Sequence, residues 1–215
     1  MKTSSSSHRH PNNIGGNYYD KYATKNPAAR LLVRHFLYAF DELAASSHAK
    51  TAYEIGCGEG MLSLRLAAKG LQVRGSDVEP DIVHEANKRA LQLGYDTLFR
   101  TLNLFDIKRA DAAADLLVCC EVLEHIPQPS SALDYIARLV HSYVLMSVPR
   151  EPIWRALNLA RGRYILSLGN TPGHVNHWSA RQFIDDVSRR FEILAIRKPL
   201  PWTMVLCRVR EGLSR

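Results

Sequence analysis

Three glycines at alternate positions, Gly56, Gly58 and Gly60, separate a short apolar run at 51–55 from a helical stretch at 61–69. A strand that must turn sharply into a helix needs residues without side chains, both for the bend and for close approach of backbone to a ligand. The first turn of the helix then presents free N–H groups to whatever lies in the turn. A chain containing this unit is constrained to place it at the C-terminal end of a sheet strand. That is where open α/β sheets bind their ligands.

The rest of the pattern supplies such a sheet. Strands are predicted at 71–76, 97–102, 115–120 and 141–148, with helices at 80–93 and 130–139 between them. Pro80 and Ser179 mark helix starts, the latter for a helix over 180–189. Strands at 191–197 and 203–209 follow, paired antiparallel through Pro199-Leu200-Pro201. The expected fold is α/β: a Rossmann-like, doubly wound, mostly parallel seven-stranded sheet with an antiparallel last strand and helices on both faces. Ahead of it, Asn26 or Thr24 can cap a helix with Pro27 in its first turn. Its predicted apolar face is Leu31, Leu32, His35, Phe36, Ala39, Phe40 and Leu43. Tyr18, Tyr19 and Tyr22 precede it as an aromatic cluster.

Residues 1–16 are polar, lack the apolar core of a secretion signal, and read as a disordered leader. Residues 17–215 read as one domain, in which 17–48 is an N-terminal helical lid segment and 150–178 an acceptor-side insertion. No apolar run reaches the roughly 18–20 residues of a membrane span. The net charge of +7 is dispersed, with no basic tract, which disfavours a nucleic-acid partner. Cys57, Cys119, Cys120 and Cys207 form no CxxC pair, and three of them fall in strand-like or Gly-rich segments. A reducing cytoplasm fits that usage. Oligomeric state has no signature in the chain.

Spacing and charge around the turn favour a sulfonium ligand over a dinucleotide. The dinucleotide fingerprint is G-x-G-x-x-G, whereas the glycines here fall G-x-G-x-G. Glu54 ends the strand with a charge that repels pyrophosphate and suits a cation. Asp77 ends the next strand, about 20 residues on, where a carboxylate can accept ribose hydroxyls.

Together with EIGCGEG at 54–60 and GSD at 75–77, the segments NLFD at 103–106 and ADLLVCCEVLEHIPQP at 114–129 carry a family likeness. The chain resembles the class I S-adenosylmethionine-dependent methyltransferases, particularly small-molecule enzymes similar to those of ubiquinone biosynthesis. The likeness runs from about Thr51 to Val148 and more loosely to the C-terminus. It implies S-adenosylmethionine as cofactor and methyl transfer to a small-molecule acceptor, with oxygen the first choice of nucleophile. It implies that Gly56, Cys57, Gly58 and Gly60 line the methionine end and ribose, and that Glu54 holds the ammonium. Asp77 would bind the ribose hydroxyls, Val78 would pack on adenine and Asp106 would meet the adenine amino group. Cys120 and Glu121 would pass close to the cofactor. Asp106 has a plainer alternative, capping the turn at 107–110.

Methyl transfer requires alignment of nucleophile, methyl and sulfur, and some acceptors also need a base. His125 is the first candidate base, with His174 and His177 behind it. The primary reading assigns no metal. An alternative is a metal-dependent RNA 2'-O-methyltransferase: Glu121, Glu124, His125 and His174 or His177 resemble the metal-binding pattern of the small-RNA 3'-end enzymes. Trp154 and Trp178 could wall an apolar acceptor pocket or pack in the core, whereas core packing is favoured for Trp202. Arg150, Arg155, Arg161 and Arg163 could meet an anionic acceptor or simply be solvated.

Overall fold

The structure, a computed structural model, describes residues 26–160, 162, 164 and 167–210. The expected leader, the tyrosine cluster, Arg161 and Arg163 lie outside them.

The first helix, α1 (Pro27–Ser46), starts where Asn26 Oδ1 accepts the amides of Ala28 and Ala29 at 2.9 and 3.2 Å. Pro27 follows at a position where its missing N–H costs nothing. Phe36, Ala39, Phe40 and Leu43 are buried, but Leu31 and His35 are exposed. The buried stripe is therefore narrower than the sequence pattern predicts. A helix lying on a sheet buries one side only.

The alternation that follows is β1 (Thr51–Ile55), α2 (Met61–Ala67), β2 (Gln72–Asp77), α3 (Pro80–Gln92), β3 (Phe99–Thr101), β4 (Leu116–Cys120), α4 (Pro129–Leu139) and β5 (Tyr143–Pro149). Then come α5 (Ile153–Ala160), α6 (Ala180–Ser188), β6 (Phe191–Arg197) and β7 (Trp202–Val209). The seven strands lie in the order β3-β2-β1-β4-β5-β7-β6. Neighbours from β3 to β5 pair parallel, and β7 runs antiparallel between β5 and β6. The predicted class and the antiparallel last strand are both present.

Strand β4 is buried along its whole length, so its alternate side chains build two cores. Leu116, Val118 and Cys120 face the layer of α1 and α2; Leu117 and Cys119 face that of α4 and α6. All four cysteines are buried free thiols. Among the described residues no helix is long and apolar enough to cross a membrane. Because β1, β2, β4 and β5 are parallel, their C-terminal ends share one edge, and the loops leaving that edge build the site.

Candidate active site

At the end of β1 the backbone is left-handed at Gly56, Gly58 and Gly60, with φ of 66°, 51° and 76°. A Cβ at Gly56 would lie 2.4 Å from Val122 Cγ2, and one at Gly60 2.8 Å from the Phe99 ring. Both positions thus need glycine for conformation and for room. Gly58 N–H donates to Asp77 Oδ2 at 2.8 Å, and Glu79 N–H donates to Oδ1 at 3.1 Å. The turn after β1 and the carboxylate ending β2 are thereby fixed to each other. Val78, next to Asp77, is 49% exposed, a large apolar surface with no partner in the core.

Glu54 is 3% exposed, and its Oε2 accepts from Ser63 N–H at 3.0 Å and Ser63 Oγ–H at 2.6 Å. It sits under the glycine turn at the first turn of α2, where a helix N-terminus favours an anion. Burial, with the charges of Glu54 and Asp77, pushes the Cys57 thiol far above its ordinary range. Burial does the same at Cys120. Neither is a thiolate nucleophile. Asp106 lies exposed in the 3₁₀ turn Leu104–Asp106. That turn is capped by Asn103, whose Oδ1 accepts Phe105 N–H at 3.0 Å. Asn103 thus caps the turn that contains Asp106, and Asp106 lies at the surface beside the half-exposed Phe105.

The end of β4 is built differently. Glu121 adopts a left-handed φ of 62°. Its carboxylate accepts from Ser147 Oγ–H at 3.0 Å and Trp202 Nε1–H at 2.6 Å, which turn it towards β5 and β7. Sequence reasoning assigned Trp202 to the core and passed over Ser147. The missed signal was the serine itself, a polar residue in the otherwise apolar run of β5, which calls for a buried partner. Trp202 also packs edge-on against Phe36 and Trp154, with centroids 4.9 and 5.7 Å apart.

Two of the three candidate histidines meet here. His125 and His174 lie edge to face, with centroids 4.9 Å apart, and His174 stacks on Trp154 at 5.8 Å. His125 Nδ1 is 3.0 Å from the Gly173 carbonyl, which can only accept, so the proton is on Nδ1. The Glu124 carbonyl accepts the amides of Val175 and Asn176 at 2.9 and 3.1 Å. Asn176 Nδ2 donates to the carbonyls of Leu123 and Ile126. These bonds stitch the insertion onto the loop after β4. Glu124, His125 and His174 form one cluster whose ligand atoms all lie within 4.8 Å of one another.

The four-residue set of the alternative is therefore split. Glu121 is held by Ser147 and Trp202, and His177 is exposed with Nδ1 3.7 Å from Glu151. Trp178 is a core residue whose Nε1–H donates to Asp186. Arg155 Nε–H donates to the Leu168 carbonyl within the insertion.

Residues 53–145 match the family model described as "Methyltransferase domain". The chain is similar to the ubiquinone biosynthesis O-methyltransferase of Nitrosomonas europaea, 32% identical over 132 residues, covering 60% of this chain and 56% of that protein. The enzyme of the same name from Alkalilimnicola ehrlichii is 30% identical over 135 residues, covering 61% and 53%. The chain thus spans about half the length of the curated relatives it matches. In fold it is similar to the magnesium protoporphyrin IX methyltransferase of Synechocystis solved with bound S-adenosylhomocysteine: TM-score 0.67, 20% identity, 88% of this chain and 91% of that one. The N-methyltransferase NodS of Bradyrhizobium japonicum gives a TM-score of 0.63 at 17% identity, covering 84% and 98%. None of these relatives supports the RNA alternative. Motifs, strand order and relatives together support a class I S-adenosylmethionine-dependent methyltransferase fold around the matched residues 53–145.

Proposed function

We propose that the chain binds S-adenosylmethionine at the glycine turn and transfers its methyl group to an oxygen of a small molecule. The observation that carries this reading is the 2.8 Å bond from Gly58 N–H to Asp77 Oδ2. It fixes an acceptor carboxylate at the turn beside the exposed Val78, a pairing suited to a ribose and an adenine face. The donor set fits the cofactor's other end as well. Glu54 is an anion buried beneath the turn, favourable to a cationic methionine moiety and hostile to pyrophosphate.

When bound, the cofactor supplies an electrophilic methyl on sulfur. Asp77 then accepts the ribose hydroxyls, Val78 packs on the base and Asp106 receives its amino group. The glycine turn and Cys57 follow the chain of the ligand, and Cys120 and Glu121 border it from the end of β4. On the acceptor side, α1 and the described part of the insertion, 150–160 and 167–178, wall the pocket and exclude water. Deprotonation of the acceptor falls to the His125–His174 cluster; His177, outside it, has no part. The names of the curated relatives support an oxygen acceptor. The four buried free thiols support a reducing compartment such as the cytoplasm.

Calorimetric titration of the full chain with S-adenosylhomocysteine, with NAD as control, tests the reading. Micromolar affinity for the first and none for the second is expected. Binding of NAD instead would refute it.

A further inference from the structure

We infer that Arg150 recognises an anionic group on the methyl acceptor. Resting on the function proposed above, the acceptor then carries a carboxylate as well as the hydroxyl that is methylated. Arg150 follows Pro149, the last residue of β5, at the edge where the glycine turn, Asp77 and Glu121 also lie. Its backbone is held from both sides. Its N–H donates to the Pro201 carbonyl at 2.8 Å, its carbonyl accepts Trp154 N–H at 3.0 Å, and it bridges to Trp178 of the insertion. Pro149 itself pairs with Trp202, whose indole holds Glu121.

What sets this arginine apart is the lack of a partner. Its Nε is buried without an acceptor, and among the described residues the side chain of Arg150 makes no hydrogen bond or ion pair. Every other partly buried arginine among the described residues is bonded: Arg65 to Asp41, Arg89 to Glu59, Arg155 to the Leu168 carbonyl, Arg190 to Asp134 and Arg197 to Glu42. The carboxylate next in sequence, Glu151, is engaged elsewhere: it accepts Arg155 N–H at 3.3 Å and stands 3.7 Å from His177 Nδ1. Glu121 accepts from Ser147 and Trp202. A guanidinium cannot shed its proton to escape a poorly solvated place. Left unpaired there it is costly, and it calls for an anion from outside the chain.

The planar fork of N–H donors matches a carboxylate, which accepts two parallel bonds. One positive charge balances one negative, whereas a phosphate dianion would leave a charge uncompensated next to Glu151. The charge of the carboxylate does not change during methyl transfer, so its bonds to Arg150 contribute equally to substrate and transition state. Arg150 therefore determines which acceptor is held, and not how fast the methyl moves.

The test is calorimetric titration of the full chain, with and without S-adenosylhomocysteine. The probes are benzoate, its neutral counterpart benzamide, and phenyl phosphate as the alternative anion. Benzoate should bind with a Kd on the order of 1 mM, and phenyl phosphate more weakly. Benzamide should bind at least about tenfold more weakly than benzoate, the scale of a hydrogen-bonded charge. Arg150→Gln should erase the preference for the acid, and Arg150→Lys should recover part of it. Arg155→Gln should leave it intact. Urea unfolding gives a second readout. Arg150→Gln should be no less stable than the wild type, because the charge it removes has no partner among the described residues. Three outcomes would overturn the assignment: no difference between benzoate and benzamide in the wild type, with or without binding; an acid preference that survives Arg150→Gln; or a marked loss of stability in that variant. Tighter binding of phenyl phosphate than of benzoate would overturn the choice of a carboxylate. Failure of S-adenosylhomocysteine to bind would refute the function proposed above and leave the comparison of benzoate with benzamide standing.

Discussion

The loops leaving β1 and β4 solve the same problem by opposite means. Each turns through a left-handed residue just past its strand, Gly56 at φ 66° and Glu121 at φ 62°. After β1 the conformation is free because the side chain is missing, and the space it leaves is filled by Val122 of the other loop. After β4 a glutamate takes the conformation, at a cost of order 1–3 kcal/mol. Bonds from Ser147 and Trp202 hold it there. One loop is a local device written in adjacent residues. The other depends on side chains from β5 and β7, up to 81 residues away.

The contrast breaks most visibly where the loops touch. Gly56→Ala adds a Cβ 2.4 Å from Val122 Cγ2 at a left-handed position. Overpacking and backbone strain together should destabilise the fold by about 2–4 kcal/mol and weaken S-adenosylhomocysteine binding. Urea unfolding and calorimetry read the two effects. The double variant Gly56→Ala/Val122→Ala should recover the steric part only. Full recovery would show that the backbone conformation needs no glycine.

Asp77→Ala removes the carboxylate that joins the turn to the end of β2. Loss of about 1.5–3 kcal/mol of S-adenosylhomocysteine affinity is expected, the scale of hydrogen bonds to a charged group. An unchanged Kd would separate the glycine turn from the ribose site.

The same contrast explains what the sequence could and could not disclose. β1 and β6 have the predicted bounds, and other elements shift by a residue or two, because periodicity and caps are local signals. The glycine turn and Asp77 were legible for that reason. On α1, spacing alone could not tell a wide apolar face from a narrow one, so Leu31 and His35 were misplaced. On the acceptor side, E-x-x-E-H and H-x-x-H put Glu121 and His177 on a par with Glu124, His125 and His174. Only the fold separates them: Trp202 takes Glu121 away, and Asn176 anchors the segment so that His174, not His177, meets His125.

Trp202→Phe sharpens the account of the β4 loop. It keeps the aromatic packing on Phe36 and removes only the N–H that Glu121 accepts. Unfolding free energy should fall by about 1–2 kcal/mol, with S-adenosylhomocysteine affinity changed less than threefold. A larger loss of affinity than of stability would mean that Glu121 touches the cofactor through this anchored conformation.

The smallest effect is expected at the opposite edge of the same two strands. Asp115 accepts the amides of Lys50 and Thr51 at 2.9 and 3.0 Å, while its own N–H donates to Thr51 Oγ1 at 2.8 Å. It ties the start of β4 to the start of β1, far from the site. The amides of Lys50 and Thr51 hold its carboxyl below the ordinary 3.8. A depressed pKa in the folded state gives stability that is present above the unfolded value and lost as pH falls through the folded one. The group is half-exposed, so solvent screening limits the effect to under about 1 kcal/mol. Asp115→Asn should therefore be slightly less stable than the wild type in urea at pH 7, with the difference shrinking as pH falls below 3.8, and identical in S-adenosylhomocysteine binding. If cofactor affinity fell with it, the two edges of the sheet would be coupled, and a site built only from the C-terminal strand ends would be too narrow a description.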